Sequence, residues 1–222
     1  MRTLRTDQAA DFTGRLVLAG LFAGLATYQT MSLIAHLKDS SELNLLDLAT
    51  RLASIAYVAL VIGLTVIRLS PVGSAAGLEP RLTALAGSFL SAGLVALPQP
   101  ELGATLRVTS LILTVAGLLL SAWVLLWLGQ AFSVTAQARQ LVAKGPYAIV
   151  RHPLYLCEEL TVLGVALAHL SAAAVLIVAV QWMFQLRRMS HEEKVLAASF
   201  PEYATYSART PKIIPTMFRR NA

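Results

Sequence analysis

Apolar residues along this chain do not alternate with polar ones. They gather in long blocks separated by short polar stretches. A bilayer core about 30 Å thick takes roughly 20 residues of helix. Four blocks meet or approach that length: Gly14 to His36, Leu52 to Ile67, Leu82 to Leu97, and the charge-free run Val108 to Ala138. The second and third are short, but Arg51, Arg68 and Arg81 flank them with stems that can reach the interface. In the fourth run the pattern predicts a helix ending near Trp127 to Gly129, since tryptophan favours the interface and glycine weakens a helix. Gln130 to Arg151 is then a polar loop.

The stretch from Pro153 to Met189 holds 27 consecutive uncharged residues, Leu160 to Leu186. As one straight helix Pro153 to Met189 would be about 55 Å long, far more than a single span needs. The length predicts a helical hairpin, with an arm from Pro153 to Ala168, a turn at His169 to Ser171 and a return arm from Ala172 to Met189. The expected fold is therefore all-α and polytopic, an integral membrane bundle of about six spans with a short basic tail. Residues 1–222 read as one membrane domain, with 1–107 lacking recognisable motifs and 108–222 carrying the chemistry.

Charge supports that topology. Under six spans, 15 of the 18 Lys and Arg fall on one side and only Lys38, Arg51 and Arg107 on the other. Basic residues collect on the cytoplasmic side, so both termini, the polar loop and the tail are expected there. Hydrophobic residues make up 56% of the chain, charged ones only 14%, and the mean hydropathy is +0.65. These values exclude a disordered chain, a coiled coil and a soluble nucleic-acid binder; the net charge of +6 reflects loop sidedness instead. The single Cys157 excludes an internal disulfide and any multi-cysteine metal site. No small-residue cleavage pattern follows a short apolar core, so no removable signal peptide is expected. Four lysines against 14 arginines, with abundant Ala and Leu, point to a GC-rich genome and a bacterial inner membrane.

Three polar clusters fall on the expected cytoplasmic face: Gln137 to Tyr147, Arg151 to Glu159, and Arg187 to Glu193. The hairpin brings the second and third together. Glu158 and Glu159 lie about one turn into an apolar arm, where an ionised group needs a partner or a polar cavity; Arg151, Arg187 and Arg188 are the nearest candidates. They read either as a salt-bridged hairpin base or as a substrate contact. His152 precedes Pro153 and so stands at a helix N-cap, with its ring free to reach the loop and the free N–H groups of the helix start open to an anion. Gly145-Pro146-Tyr147 is a tight turn where a ligand could approach. From Glu192 on, Leu196, Phe200, Tyr203 and Tyr206 form an amphipathic stripe that Pro201 divides into two short pieces. There the glutamates read as favourable N-terminal charges. His36 and His169 fall at span ends on the far side. No metal-ligand spacing, dinucleotide fingerprint, P-loop or nucleophile elbow is present, so no metal is expected.

The run Leu141-Val-Ala-Lys-Gly-Pro-Tyr-Ala-Ile-Val-Arg-His-Pro-Leu-Tyr155, followed after one apolar hairpin by Glu192-Glu-Lys-Val-Leu196 and then Phe200, Tyr203, Tyr206, Arg209, Pro211 and Pro215, resembles the isoprenylcysteine carboxyl methyltransferases. The broader membrane group that includes the phospholipid N-methyltransferases shares the pattern. The resemblance covers the chain from Gly129 on. It implies S-adenosylmethionine as cofactor, in a cytoplasmic-face pocket closed by the C-terminal segment. By matching residue, the cofactor contacts would be Gln137, Arg139, Gln140, Leu141, Val142, Tyr147, His152, Pro153, Tyr155, Glu192 and Glu193. Arg188 would be the substrate-site arginine, with Glu158 and Glu159 beside it for a cationic acceptor. Two positions depart from the family pattern: Cys157 stands where a glycine is usual, and Phe200-Pro201 where Phe-Gly is frequent. The implied acceptor is a lipophilic small molecule or lipid, a prenylcysteine-like carboxylate first, with a phospholipid amine or a small thiol next. Readings outside the resemblance are a membrane carrier or scaffold whose clusters form a salt-bridged rim, and a nicotinamide-dependent membrane reductase.

Overall fold

A computed structural model describes residues 2–39 and 44–215. Arg219 and Arg220, which contribute to the charge count, lie outside the described residues. Helix α1 (Arg2–Asp39) leads to α2 (Leu45–Ile67), where the Asn44 side chain caps the start by accepting the N–H groups of Leu46 and Asp47. After the two-residue strand β1 (Gly73–Ser74), α3 (Glu79–Phe89) continues as a 3-10 turn over Leu90–Ala96. Helix α4 (Ala104–Leu128) stops at Gly129, whose φ of 51° is costly for any residue with a Cβ. The loop beyond it holds β2 (Gln137–Ala138) and a 3-10 turn at Gly145–Ala148, and then come α5 (Pro153–Ala168), α6 (Ala172–Ser199) and α7 (Tyr203–Arg209).

The chain runs the length of the bundle six times, and side-chain contacts fix which ends lie together. At one end Asp11 of α1 pairs with Arg68 after α2, Leu69 N–H donates to the Gln130 carbonyl after α4, and Glu79 at the start of α3 pairs with Arg187 in the second half of α6. At the opposite end His36 pairs with Asp47, and Gln99 meets His169 in the α5–α6 turn. The protein is thus an all-α integral membrane bundle, and the expected hairpin is present as α5 and α6. Ser171 begins the return arm by accepting the Ala174 N–H, which explains a tight turn without Gly or Pro.

Among the described residues, four stretches are long and apolar enough to cross a membrane: Asp11–Lys38, Leu45–Ile67, Ala104–Ala131 and Ala172–Ser199. The other two passes are short. The expected span Leu82 to Leu97 is an 11-residue α-helix followed by seven residues of 3-10 turn, and the steeper rise of that turn brings the pair to about 30 Å. Helix α5, with 16 residues, measures about 24 Å. One further expectation needs correction. The return arm does not end at Met189; α6 continues to Ser199, so Glu192 and Glu193 lie inside a long helix and cannot act as N-terminal charges of a tail piece. A small antiparallel ladder also joins Gly73 to Ala138 and Ser74 to Gln137, extended by the Val72 N–H to Ala138 and the Ala75 N–H to Ala136. It ties the polar loop to the segment after α2.

In lipid, helices associate by close packing of small residues more than by burial of apolar area. Ser110, Thr114, Gly117 and Ser121 follow one another at spacings of 4, 3 and 4 on α4, and all are buried. They face α5, where Ser110 Oγ donates to the Gly164 carbonyl at 2.8 Å. A Cβ on Gly117 would lie 2.9 Å from Thr161 Cα, and one on Gly164 would lie 2.9 Å from the Ser110 carbonyl oxygen. Overpacking of this kind costs about 1–3 kcal/mol. Gly117→Leu and Gly164→Leu are therefore expected to lower the thermal midpoint in detergent by several degrees. Gly20→Leu and Gly24→Leu on α1, where nothing stands within 4 Å of a Cβ, should leave the midpoint unchanged.

Candidate functional site

Near the Asp11–Arg68 end the polar loop, the start of α5, the lower half of α6 and α7 line a pocket of about 780 Å³, open mouth included. Its loop wall is Gln137, Arg139, Gln140, Leu141 and Val142, closed by the Tyr147 turn. From α5 come His152 and Tyr155, from α6 Arg188 and Glu192, and from α7 Tyr203 and Tyr206. Ten of the residues singled out from the sequence thus share one pocket. Pro153 is buried in the helix start, and Glu193 faces the tail; neither lines it.

At the centre, the Tyr155 hydroxyl and Arg188 Nε both donate to Glu192 Oε1, the latter at 3.2 Å. Arg188 Nη1 donates to Ser88 Oγ at 2.8 Å, and the guanidinium lies 4.8 Å from the Tyr155 ring centre. Arg188 is only 4% exposed. On the loop, Gln137 Oε1 accepts from Arg139 Nη2 at 2.6 Å and from Ser133 Oγ at 3.0 Å. Arg139 also donates to Asp11 Oδ1 at 2.8 Å and to the Leu69 carbonyl. Burial pulls the Arg139 guanidinium below its ordinary value while Asp11 opposes the fall, and burial brings Arg68 to about 10. Both remain cationic at neutral pH. The turn before α5 is tight because Gly145, at φ 60°, sits on the Trp127 ring, where a Cβ would lie 2.7 Å from Cε3.

The tail seals the helix start. Arg151 N–H donates to the Pro211 carbonyl at 2.9 Å and His152 N–H to that of Lys212 at 3.2 Å. The Tyr206 hydroxyl donates to the Tyr147 carbonyl at 2.7 Å. Glu193 holds the same junction, with Arg151, His152 and Lys212 around it at 3.3, 3.1 and 3.5 Å. One expectation is therefore corrected. The His152 ring is not free, since it meets Glu193 and stacks on Tyr155 at 5.5 Å; the N–H groups of residues 151 and 152 serve the tail. Burial, with Glu192 next, raises Tyr147 well above the ordinary tyrosine range; burial and Glu193 push Tyr203 up to about 12. These phenols stay protonated at neutral pH.

Behind Arg188 lies a second cavity of about 760 Å³, open mouth included, between α2, α3, α4, α5 and α6. Glu158 faces it and accepts from the Tyr57 hydroxyl at 2.9 Å. Its expected partners are thus partly corrected: Arg151 serves Glu193 and Arg187 serves Glu79, while Arg188 stands at the same cavity. Glu159 is buried and turned toward Gln181. Sequence reasoning missed Tyr57, Ser88, Asp11, Gln181 and Gln185. A signal existed for the glutamines, because Gln181, Gln185, Arg188 and Glu192 recur at spacings of 4, 3 and 4, and so form a single polar stripe on α6. Among the described residues no group of three or more His, Cys, Asp and Glu side chains could hold a metal ion.

Over 78 residues the chain is 37% identical to the cobalt-zinc-cadmium resistance protein CzcN of Cupriavidus metallidurans, a match covering 35% of this chain and 36% of that protein. Over 83 residues it is 35% identical to the nickel-cobalt-cadmium resistance protein NccN of Alcaligenes xylosoxydans xylosoxydans, covering 36% and 38%. The matched part is therefore little more than a third of either relative's length. Residues 102–203, from the start of α4 into α7, match the family model described as phospholipid methyltransferase. The stretch that builds most of the pocket, from α4 through the polar loop and both hairpin arms, is thus similar to the phospholipid methyltransferase family, which the isoprenylcysteine carboxyl methyltransferases share.

Proposed function

We propose that this protein transfers a methyl group from S-adenosylmethionine to a lipophilic acceptor, at the cytoplasmic face of a bacterial inner membrane. The observation that carries the reading is the convergence of Gln137, Tyr147, His152, Tyr155, Arg188 and Glu192 on one cavity, from four separate parts of the chain. The donor set suits the cofactor. Arg139 Nε and Arg151 Nε are buried donors without a partner on side chains that line the cavity, and they match a carboxylate or ribose oxygens. Glu192, fixed by Tyr155 and Arg188, is an acceptor for hydroxyl or ammonium groups.

The bound cofactor supplies an electrophilic methyl group on a sulfonium. The chain's part is then positioning and exclusion of water, which the Tyr206–Tyr147 contact and the tail seal provide. Arg188 borders both cavities, so we assign the acceptor to the inner one, with Arg188 orienting a carboxylate of the prenylcysteine kind. Glu158, beside Tyr57 in that cavity, favours a second reading in which a lipid amine takes the methyl group and Glu158 holds the cation.

Three variants test this. Glu192→Gln removes a charge-assisted acceptor worth about 1.5–3 kcal/mol, so calorimetry should show S-adenosylhomocysteine binding weakened at least tenfold; equal affinity would sink the cofactor assignment. Arg188→Lys keeps a cation beside Glu192, so affinity should stay within threefold while turnover on a lipophilic carboxylate falls tenfold or more. Glu158→Gln distinguishes the acceptors: a carboxylate substrate should keep its KM, whereas an amine substrate should lose at least tenfold in kcat/KM.

A further inference from the structure

On the outer face of the hairpin, α5 and α6 diverge to leave a groove of about 1090 Å³, open mouth included. Leu163, Leu167, Val175, Val178 and Trp182 make its walls apolar, as expected of a surface in contact with acyl chains. One residue breaks the pattern. Glu159 lines the groove, is only 8% exposed, and its Oε1 has no hydrogen-bond partner. Among the described residues it forms no ion pair. Gln181 lies against the Glu159 carboxyl but leaves that oxygen unanswered, with its Nε2 bonded to the Gly87 carbonyl at 3.1 Å and its own Oε1 also without a partner. A carboxyl at membrane depth with an unanswered oxygen is costly unless a partner arrives.

We propose that this groove is a seat for a single-chain membrane amphiphile with a cationic head, the chain lying between α5 and α6 and an ammonium group on Glu159. The dimensions agree. From Glu159 to Leu170 the groove follows 11 residues of chain, about 16 Å of helix, the reach of a medium-length alkyl chain. Opposite charge selects the head. An alcohol would answer the orphaned oxygen without offsetting the charge, and a carboxylate would set two negative groups together in lipid.

The seat also lies beside the reaction centre. Gln181, next to Glu159, lines the inner cavity that Arg188 borders, so the Glu159–Gln181 pair is the partition between bilayer and acceptor chamber. That this partition admits the methyl acceptor rests on the methyltransferase reading; the seat itself does not.

Trp182 in the groove wall reports occupancy directly. The full-length protein in zwitterionic nanodiscs is titrated with single-chain amphiphiles brominated near the polar end: an alkylammonium, the matching alcohol and the matching carboxylate, each at a measured bilayer mole fraction. Subtracting the signal of Trp182→Phe isolates quenching at the groove. The ammonium is expected to quench at a mole fraction at least tenfold below the carboxylate and severalfold below the alcohol. Glu159→Gln should bring the three within threefold, and Ala179→Phe, which fills the groove, should remove quenching by all of them. Equal quenching by the three heads in the unaltered protein, or an ammonium preference that survives Glu159→Gln in a sample with unchanged helical circular dichroism, would overturn the proposal. Because S-adenosylhomocysteine binding is measured separately, failure of the methyltransferase reading leaves this result standing, and the reverse also holds.

Discussion

A guanidinium carried into a membrane bundle must have its donors answered on the spot, and Arg188 organises the site because it meets that demand from four directions. Ser88 of α3, Ser133 in the loop, Glu192 of α6 and the Tyr155 ring of α5 all touch it. None of these groups is close to the others in sequence. Turning α6 by one residue would rotate Arg188 by about 100°, breaking its three contacts with other elements and carrying Gln181, Gln185 and Glu192 out of their cavities. The rotational setting of α6 and the shape of both cavities are therefore one property. It is held from the opposite side by the close α4–α5 packing, which leaves no room for α5 to shift.

The same electrostatics explains what the first helix contributes. Helix α1 lies outside the family-matched segment, and its apolar window is not buried within the bundle. Yet Asp11 at its start takes Arg15, Arg68 and Arg139 together, at 2.8, 3.0 and 2.8 Å. Arg139 passes that anchoring to Gln137 and the pocket wall. One carboxylate facing three guanidiniums leaves an excess of positive charge at the loop, and the unpartnered Nε atoms of Arg68 and Arg139 are part of it. A helix with no motif of its own thus sets the field at the wall of the pocket.

Spans and the hairpin were legible because lipid imposes a coarse rule: every long uncharged run must be placed, and Leu160 to Leu186 could be placed only as a return. The pocket residues were legible for another reason, since the family pattern and the hairpin both pointed to the same end of the bundle. What sequence reading missed were partners supplied across the bundle. Nothing local to Glu158 announces Tyr57, which is 101 positions away, and a threonine-serine-glycine row such as Ser110 to Ser121 looks like an ordinary span until its neighbour is known. The end of α6 was misjudged because Arg187 and Arg188 look like an interfacial stop, whereas the first is satisfied by Glu79 and the second is buried, so the helix has no reason to end.

The fate of the α5 helix start shows how closure and charge balance are linked. A helix beginning His-Pro offers few free N–H groups, since the proline has none, and the two preceding ones are bonded to Pro211 and Lys212. The tail therefore takes up the N–H groups that immediately precede the helix. Of the cations that line the pocket, Arg139 and Arg151 are each fixed by an acid outside the cavity: Asp11 for the first, Glu193 for the second. Glu193 also holds Lys212 and His152. The residue that anchors one of the pocket's cations is thus the residue that latches the tail, so the state of the lid and the electrostatics of the site cannot change independently.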